Sequence, residues 1–197
     1  MSLQQGDRIC AGMRLLLPVL IGSTILGVGL ASPALAQNRS AHPTARSSSH
    51  SAPAAAPRSI GTFDDWQAAT HVEAGATVCY AFTRAHSSVP ALPGRGEVVL
   101  TVTQRPSGRD AVAISAGFPY PSGAEVTVEV ERTELAFYTS GRSAFARDGR
   151  AVVAAFDKGR TATAKSPGPR NATVADSFSL RGFSGAYAAI NKACPAK

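Results

Sequence analysis

Charge is scarce in this chain. Only 17% of its 197 residues are Asp, Glu, Lys or Arg, too few for a long solvated coiled coil or a highly charged disordered protein. Cysteine is scarcer still, at three, which argues against zinc-ribbon and knottin-like frameworks. There is no internal repeat, and beyond residue 31 no apolar stretch approaches membrane length. No motif announces an active site. What is present is a hydrophobic fraction of 44% and a net charge of +7. Together they describe one globular domain, or one domain with a tail.

The amino terminus has the three parts of an export signal. Arg8 and Arg14 form a positive flank, Leu15 to Ala31 is apolar and uncharged, and Ala34-Leu35-Ala36-Gln37 supplies small residues at the −3 and −1 positions. Cleavage is expected between Ala36 and Gln37. A membrane span needs about 20 apolar residues. This run has 17, broken by Pro18 and three glycines, so no transmembrane anchor is expected after cleavage. Met13 is an alternative start. Cys10 precedes the apolar run, where it cannot become a lipidated cysteine.

Removing Arg8, Arg14 and Asp7 from 20 basic and 13 acidic residues leaves 18 against 12. The remaining cysteines are Cys79 and Cys194. An even pair in an exported chain reads as a disulfide, because the export route is oxidising.

Residues 37–60 hold six Ser, six Ala and three Pro in 24 positions, without apolar periodicity. Such a segment buries too little surface to offset chain entropy and reads as a disordered linker. The domain then spans 61–197. Its 15 basic and 12 acidic residues are scattered, unlike the clustered arginine and interleaved aromatics of a nucleic-acid binder.

Within the domain the dominant period is two. Thr77–Phe82, Glu97–Thr103, Ala111–Ser115, Glu125–Glu131, Glu134–Thr139, Thr161–Ala164 and Asp176–Leu180 read as strands, separated by Pro/Gly turns. Glu125–Glu131 and Glu134–Thr139 read as a hairpin. Short strands at this spacing suggest an antiparallel sandwich or barrel. Helical spacing of Val152, Val153 and Phe156 predicts a helix over 149–158. A second is expected over 185–193, capped by Ser184, and Cys194 would stitch its end to the strand bearing Cys79.

Candidate reactive groups resolve into structural ones. Asp64-Asp65 is an adjacent acid pair, but neighbours on an extended segment point apart, so it reads as a solvated strand start. Trp66 reads as a core anchor. His71 and His86 lack acidic or cysteine partners at ligand spacing. Gly182-Phe183-Ser184-Gly185-Ala186 sits where a nucleophile elbow would, but no Asp, Glu or His follows Ser184, as the Ser hydrolase order requires. Gly94-Arg95-Gly96 lacks the third glycine of a phosphate loop. No catalytic residue, cofactor site or metal site is expected.

The order of several motifs resembles a known family. They are Asp65-Trp66, Cys79-Tyr80, Arg105-Pro106, Gly117-Phe118-Pro119, Ala144-Phe145, the turn Val152–Gly159, the run Asp176-Ser177-Phe178-Ser179-Leu180-Arg181-Gly182-Phe183-Ser184-Gly185-Ala186, and Ile190 followed by Cys194. Over 61–194 this is similar to the bacterial invasion-associated locus B family. The resemblance implies an exported protein of alphaproteobacterial type, an immunoglobulin-like β-sandwich and a link to host-cell invasion. It implies no catalytic residues. Family members often carry a further cysteine shortly after the Trp, where this chain reads Gln67-Ala68-Ala69-Thr70.

The expectation is therefore an all-β, immunoglobulin-like antiparallel sandwich with a short C-terminal helix. It would be periplasmic, secreted or at the cell surface, and would bind an unknown envelope or host-surface component rather than nucleic acid. Loops Ser87–Arg95 and Pro119–Ala124 are the expected contact loops. Alternatives are a chaperone-like protein pairing through an edge strand, or a cell-wall hydrolase whose cleft would gather Glu134, Asp157 or His86.

Overall fold

The structure, a computed structural model, describes residues 56–196. The proposed signal, its cleavage residues Ala34, Ala36 and Gln37, and most of the proposed linker lie outside the described residues.

Eleven strands alternate along the chain: β1 (Arg58–Phe63), β2 (Trp66–Glu73), β3 (Ala76–Arg84), β4 (Ser87–Val89), β5 (Val99–Arg105), β6 (Gly108–Ser115), β7 (Glu125–Val130), β8 (Thr133–Ser140), β9 (Ser143–Ala146), β10 (Thr161–Pro167) and β11 (Thr173–Ser179). Helix α1 (Gly149–Lys158) precedes β10, and α2 (Phe183–Ala193) follows β11. The first strand begins at Arg58, inside the segment read as linker. Arg58, Ser59 and Gly61 form a strand because Thr70, Ala69 and Ala68 offer a ladder across the Asp64-Asp65 turn, with a register shift at Ile60.

All pairings are antiparallel, in the order β1-β2-β3-β5-β6-β9-β8-β7-β10-β11-β4. The all-β class and the C-terminal helix are as expected. The ladder runs as one continuous sheet, whereas an immunoglobulin fold divides its strands between two. Two-residue turns drive the meander. Asp64, Ala74, Glu131 and Gly141 each open one with positive φ, the hand that matches the right-handed twist of the flanking strands. The sheet curls back on itself because β3 changes partners at its end. The Ala85 amide donates to Val98 O at 2.9 Å, and the next amide, His86, donates to Ser177 O at 3.0 Å. Beyond that switch the same chain direction continues as β4 and pairs with β11.

The curled sheet encloses one core. Inward residues of β2, β3, β5, β6, β7, β8, β10 and β11 pack with both helices. Trp66 is fully buried, 5.0 Å edge-on from Phe183, and Phe183 meets Phe156 of α1 at 5.4 Å. The Trp66 indole donates to Ser179 O at 2.9 Å, so its one polar group is satisfied. Helix α1 has the predicted bounds, and Asp148 caps it by accepting from the Ala151 amide.

Helix α2 starts two residues earlier than the sequence suggests, and Ser184 does not cap it. The cap position is Gly182, at φ 87°. There the backbone passes so close to Phe63 that a Cβ would lie 2.0 Å from its carbonyl oxygen. This entry lets Phe183, in the first turn, reach Trp66. At its other end α2 is tied three ways. Cys194 is bonded to Cys79 of β3, with Cα atoms 6.0 Å apart. Arg109 donates to Cys194 O at 2.6 Å and also bonds Asn191. The Tyr187 hydroxyl donates to Asp110, which Gln104 holds in turn. Burial and that acidic neighbour raise the Tyr187 phenol above its usual range.

Candidate functional site

Asp176 lies on the inward face of β11 and Arg95 in the loop after β4. Their side chains are 2% and 6% exposed. The pair is bidentate, with guanidinium Nη1 and Nη2 each 2.7 Å from a carboxylate oxygen. Fork-to-fork geometry of this kind is the strong form of the interaction. Ser88 of β4 adds a hydroxyl donor to Asp176 at 2.7 Å. Arg95 Nε donates to Ala116 O at 2.6 Å, and the guanidinium stacks 4.7 Å from the Phe118 ring. One buried ion pair thus fastens three segments: β4 with its following loop, the β6–β7 loop, and β11.

The two loops also touch through backbone and apolar atoms. Gly117, at φ 73°, approaches Gly96 so closely that a Cβ would lie 2.4 Å from the Gly96 oxygen. Ala116, Phe118 and Val174 make a small second core, covered by Leu92 and Tyr120. Burial pushes the Tyr120 phenol up to about 12, with the Asp176 charge adding to the shift. Tyr120 N donates to Gly141 O at 2.9 Å, and Arg142 to Gly117 O at 2.6 Å, which ties the β8–β9 turn to the same rim.

Above this base the loop tips are exposed. Pro90, Ala91, Pro93 and Gly94 of one loop, and Pro119, Pro121, Ser122 and Gly123 of the other, face solvent, as does Val89 at 66%. The expected contact loops are therefore neighbours on one rim, with buried feet and free tips. The sequence carries one signal of the Arg95–Asp176 pair: Asp176 itself, an acid at the inward parity of a strand between Val174 and Phe178.

The other singled-out residues go elsewhere. Asp64 and Asp65 form the β1–β2 turn, and Asp65 accepts from Ser179 Oγ at 2.7 Å. His71 does have an acidic partner, Glu73, at 2.8 Å. Two residues apart on a strand, they share its face, and Arg105 from β5 completes the cluster at 2.8 Å. Hydrogen bonds from Arg105 and then His71 hold the Glu73 carboxyl down near 2, and Glu73 raises Arg105 in return. Ser184 donates to Asp157 of α1, with no histidine in the arrangement. His86 lines a groove with Asp65, but Glu134 and Asp157 do not line it. No three His, Cys, Asp or Glu converge to hold a metal among the described residues.

The run from Asp176 to Ala186 is a structural thread. Asp176 holds Arg95; Phe178, Leu180, Phe183 and Ala186 are core; Ser179 serves Trp66 and Asp65; Gly182 and Gly185 pass under Phe63.

The family pattern described as Invasion associated locus B (IalB) protein matches residues 66–191, Trp66 through Asn191. This chain belongs to the invasion-associated locus B family. Among solved structures it is similar to invasion associated protein b from Bartonella henselae, at a TM-score of 0.50 and 18% identity. The match covers 68% of this chain and 95% of the other, and at that identity it speaks for the fold. No curated protein sequence matches the chain. The match begins at Trp66 and takes in the Arg95–Asp176 clamp, so the rim lies within the IalB portion of the chain. Among the described residues no helix is long and apolar enough to cross a membrane.

Proposed function

We propose that this IalB-family chain is an exported, non-enzymatic binding protein that holds an envelope or host-surface partner on the rim formed by Pro90–Arg95 and Pro119–Ala124. The observation that carries the reading is the buried Arg95–Asp176 clamp. It fixes the feet of two exposed, Pro/Gly-rich loops before any partner arrives. Loops fixed in advance lose little conformational freedom on binding, which is where affinity is otherwise spent. Export is supported by the leader pattern ending at Ala36 and by the Cys79–Cys194 bond, a linkage that persists in oxidising compartments. The family's name supplies the link to invasion.

The test is site-specific photo-crosslinking in cells that make the protein natively. A photoreactive residue at Ala91 or Ser122 is expected to give discrete adducts that the same residue at Ala154, exposed on α1, does not give. Identical patterns from all three positions, or none from the rim, would remove the rim as the contact surface.

A further inference from the structure

A second site opens where β3 changes partners. The switch at Ala85-His86 leaves the start of β2, the start of β10 and the end of β11 flanking a groove of about 550 Å³. Ligand pockets span about 300–1,000 Å³. Its floor is Thr83, nearly buried, whose hydroxyl donates to Asp65 O at 2.7 Å. Its walls carry Asp65, Gln67, Arg84, His86 and Thr161. The groove shares no lining residue with the loop rim.

The chemistry of the walls selects the ligand. Ala85 is the one apolar residue in the lining, so an apolar guest gains little. The charges cancel locally. Arg84 bonds Glu97 at 2.9 Å, and Arg181 lies 3.6 and 3.7 Å from Asp64 and Asp65, so neither a strong anion nor a strong cation finds an unopposed partner. What remains is hydrogen-bonding capacity of both kinds. Asp65 gives one oxygen to Ser179 and keeps Oδ1. The Gln67 amide, the His86 imidazole and the Thr161 hydroxyl make no side-chain hydrogen bond among the described residues, and all three are exposed. Carboxylate, amide, imidazole and hydroxyl converge with acceptors and donors interleaved. Hydroxyl groups on adjacent carbons, each both donor and acceptor, match that set.

The geometry points to a binding site for a neutral oligosaccharide in the groove between Asp65, Gln67, His86 and Thr161. This goes beyond the rim reading and stands on different residues. The sugar could belong to the bacterial wall or to a host cell.

The test uses the exported chain, labelled with nitrogen-15, titrated with two probes at millimolar concentration. One is an N-acetylglucosamine tetramer, standing for wall glycan. The other is a galactose-terminated N-acetyllactosamine, standing for animal-cell glycan. Saturable amide shifts centred on Gln67, His86 and Thr161 are expected with at least one probe, and which probe binds identifies the source. Gln67→Ala and His86→Ala should each weaken that binding about tenfold without moving the thermal midpoint. Lys158→Ala should leave it unchanged. No saturable shift with either probe, or shifts centred elsewhere, would overturn the assignment. A sugar-negative protein that still crosslinks from Ala91 would leave the rim standing alone.

Discussion

At the residue scale the decisive group is Arg95. It is nearly buried, and its charge is met by Asp176 in bidentate geometry with Ser88 on the same carboxylate. Removing one partner of such a pair leaves an uncompensated buried charge, which costs about 3–5 kcal/mol. Arg95→Ala or Asp176→Asn is therefore expected to lower unfolding free energy by about that amount, read from urea melts. The double change Arg95→Met, Asp176→Leu should destabilise less than either single change. A sum of the two single effects would show that the residues act independently. Tyr120 gives a second handle. Its folded phenol ionises only at about 12, because burial disfavours the anion, while an unfolded tyrosine ionises near 10. The native state keeps its proton while the unfolded state loses one, so this contribution is present below about pH 10 and drains away between about 10 and 12. Tyr120→Phe should flatten the alkaline loss of stability in that window. An unchanged profile would mean that the phenol is not shielded.

At the element scale, some of the fold was plain in the sequence and some was hidden. Strict alternation in Glu125–Glu131 and helical spacing around Val152 and Phe156 gave β7 and α1 because one face of each is apolar. Strand β2 is hidden because its buried residues after Trp66 are small, Ala68 and Ala69, and carry no clear period. Strand β9 is only four residues long, and β4 only three, too short for any period to register. Ser184 looks like a cap and draws the expected start of α2 to residue 185, whereas the helix begins at Phe183. The real constraint is tertiary, the passage of Gly182 against Phe63. Gly182→Ala is expected to destabilise by at least about 2 kcal/mol, since it combines a left-handed φ with a backbone clash. Ser184→Ala should change stability by less than about 1 kcal/mol. The candidate site was half legible. Loop chemistry marked the two exposed segments, but the clamp joining them spans 81 residues of sequence, and no local pattern reports such a pair.

At the scale of the whole molecule, the disulfide joins β3 to the end of α2 across a separation of 115 residues. Closing a loop of about 100 residues is worth about 4.7 kcal/mol in the chain-entropy treatment. Cys79→Ser with Cys194→Ser should therefore lower stability by a few kcal/mol, with the loss concentrated in hydrogen-exchange protection of α2. Arg109 and the Tyr187–Asp110–Gln104 network remain to hold the helix, so the reduced protein should stay folded. Loss of all cooperative unfolding would mean that those contacts were overvalued.

Everything proposed about function depends on the chain reaching an oxidising compartment in processed form. The most direct test is fractionation of the native cells with intact-mass analysis of the recovered protein. The predicted mass is that of residues 37–197 less two hydrogens, found in the periplasm, at the cell surface or in the medium. An unprocessed, reduced chain in the inner membrane or cytoplasm would contradict the account.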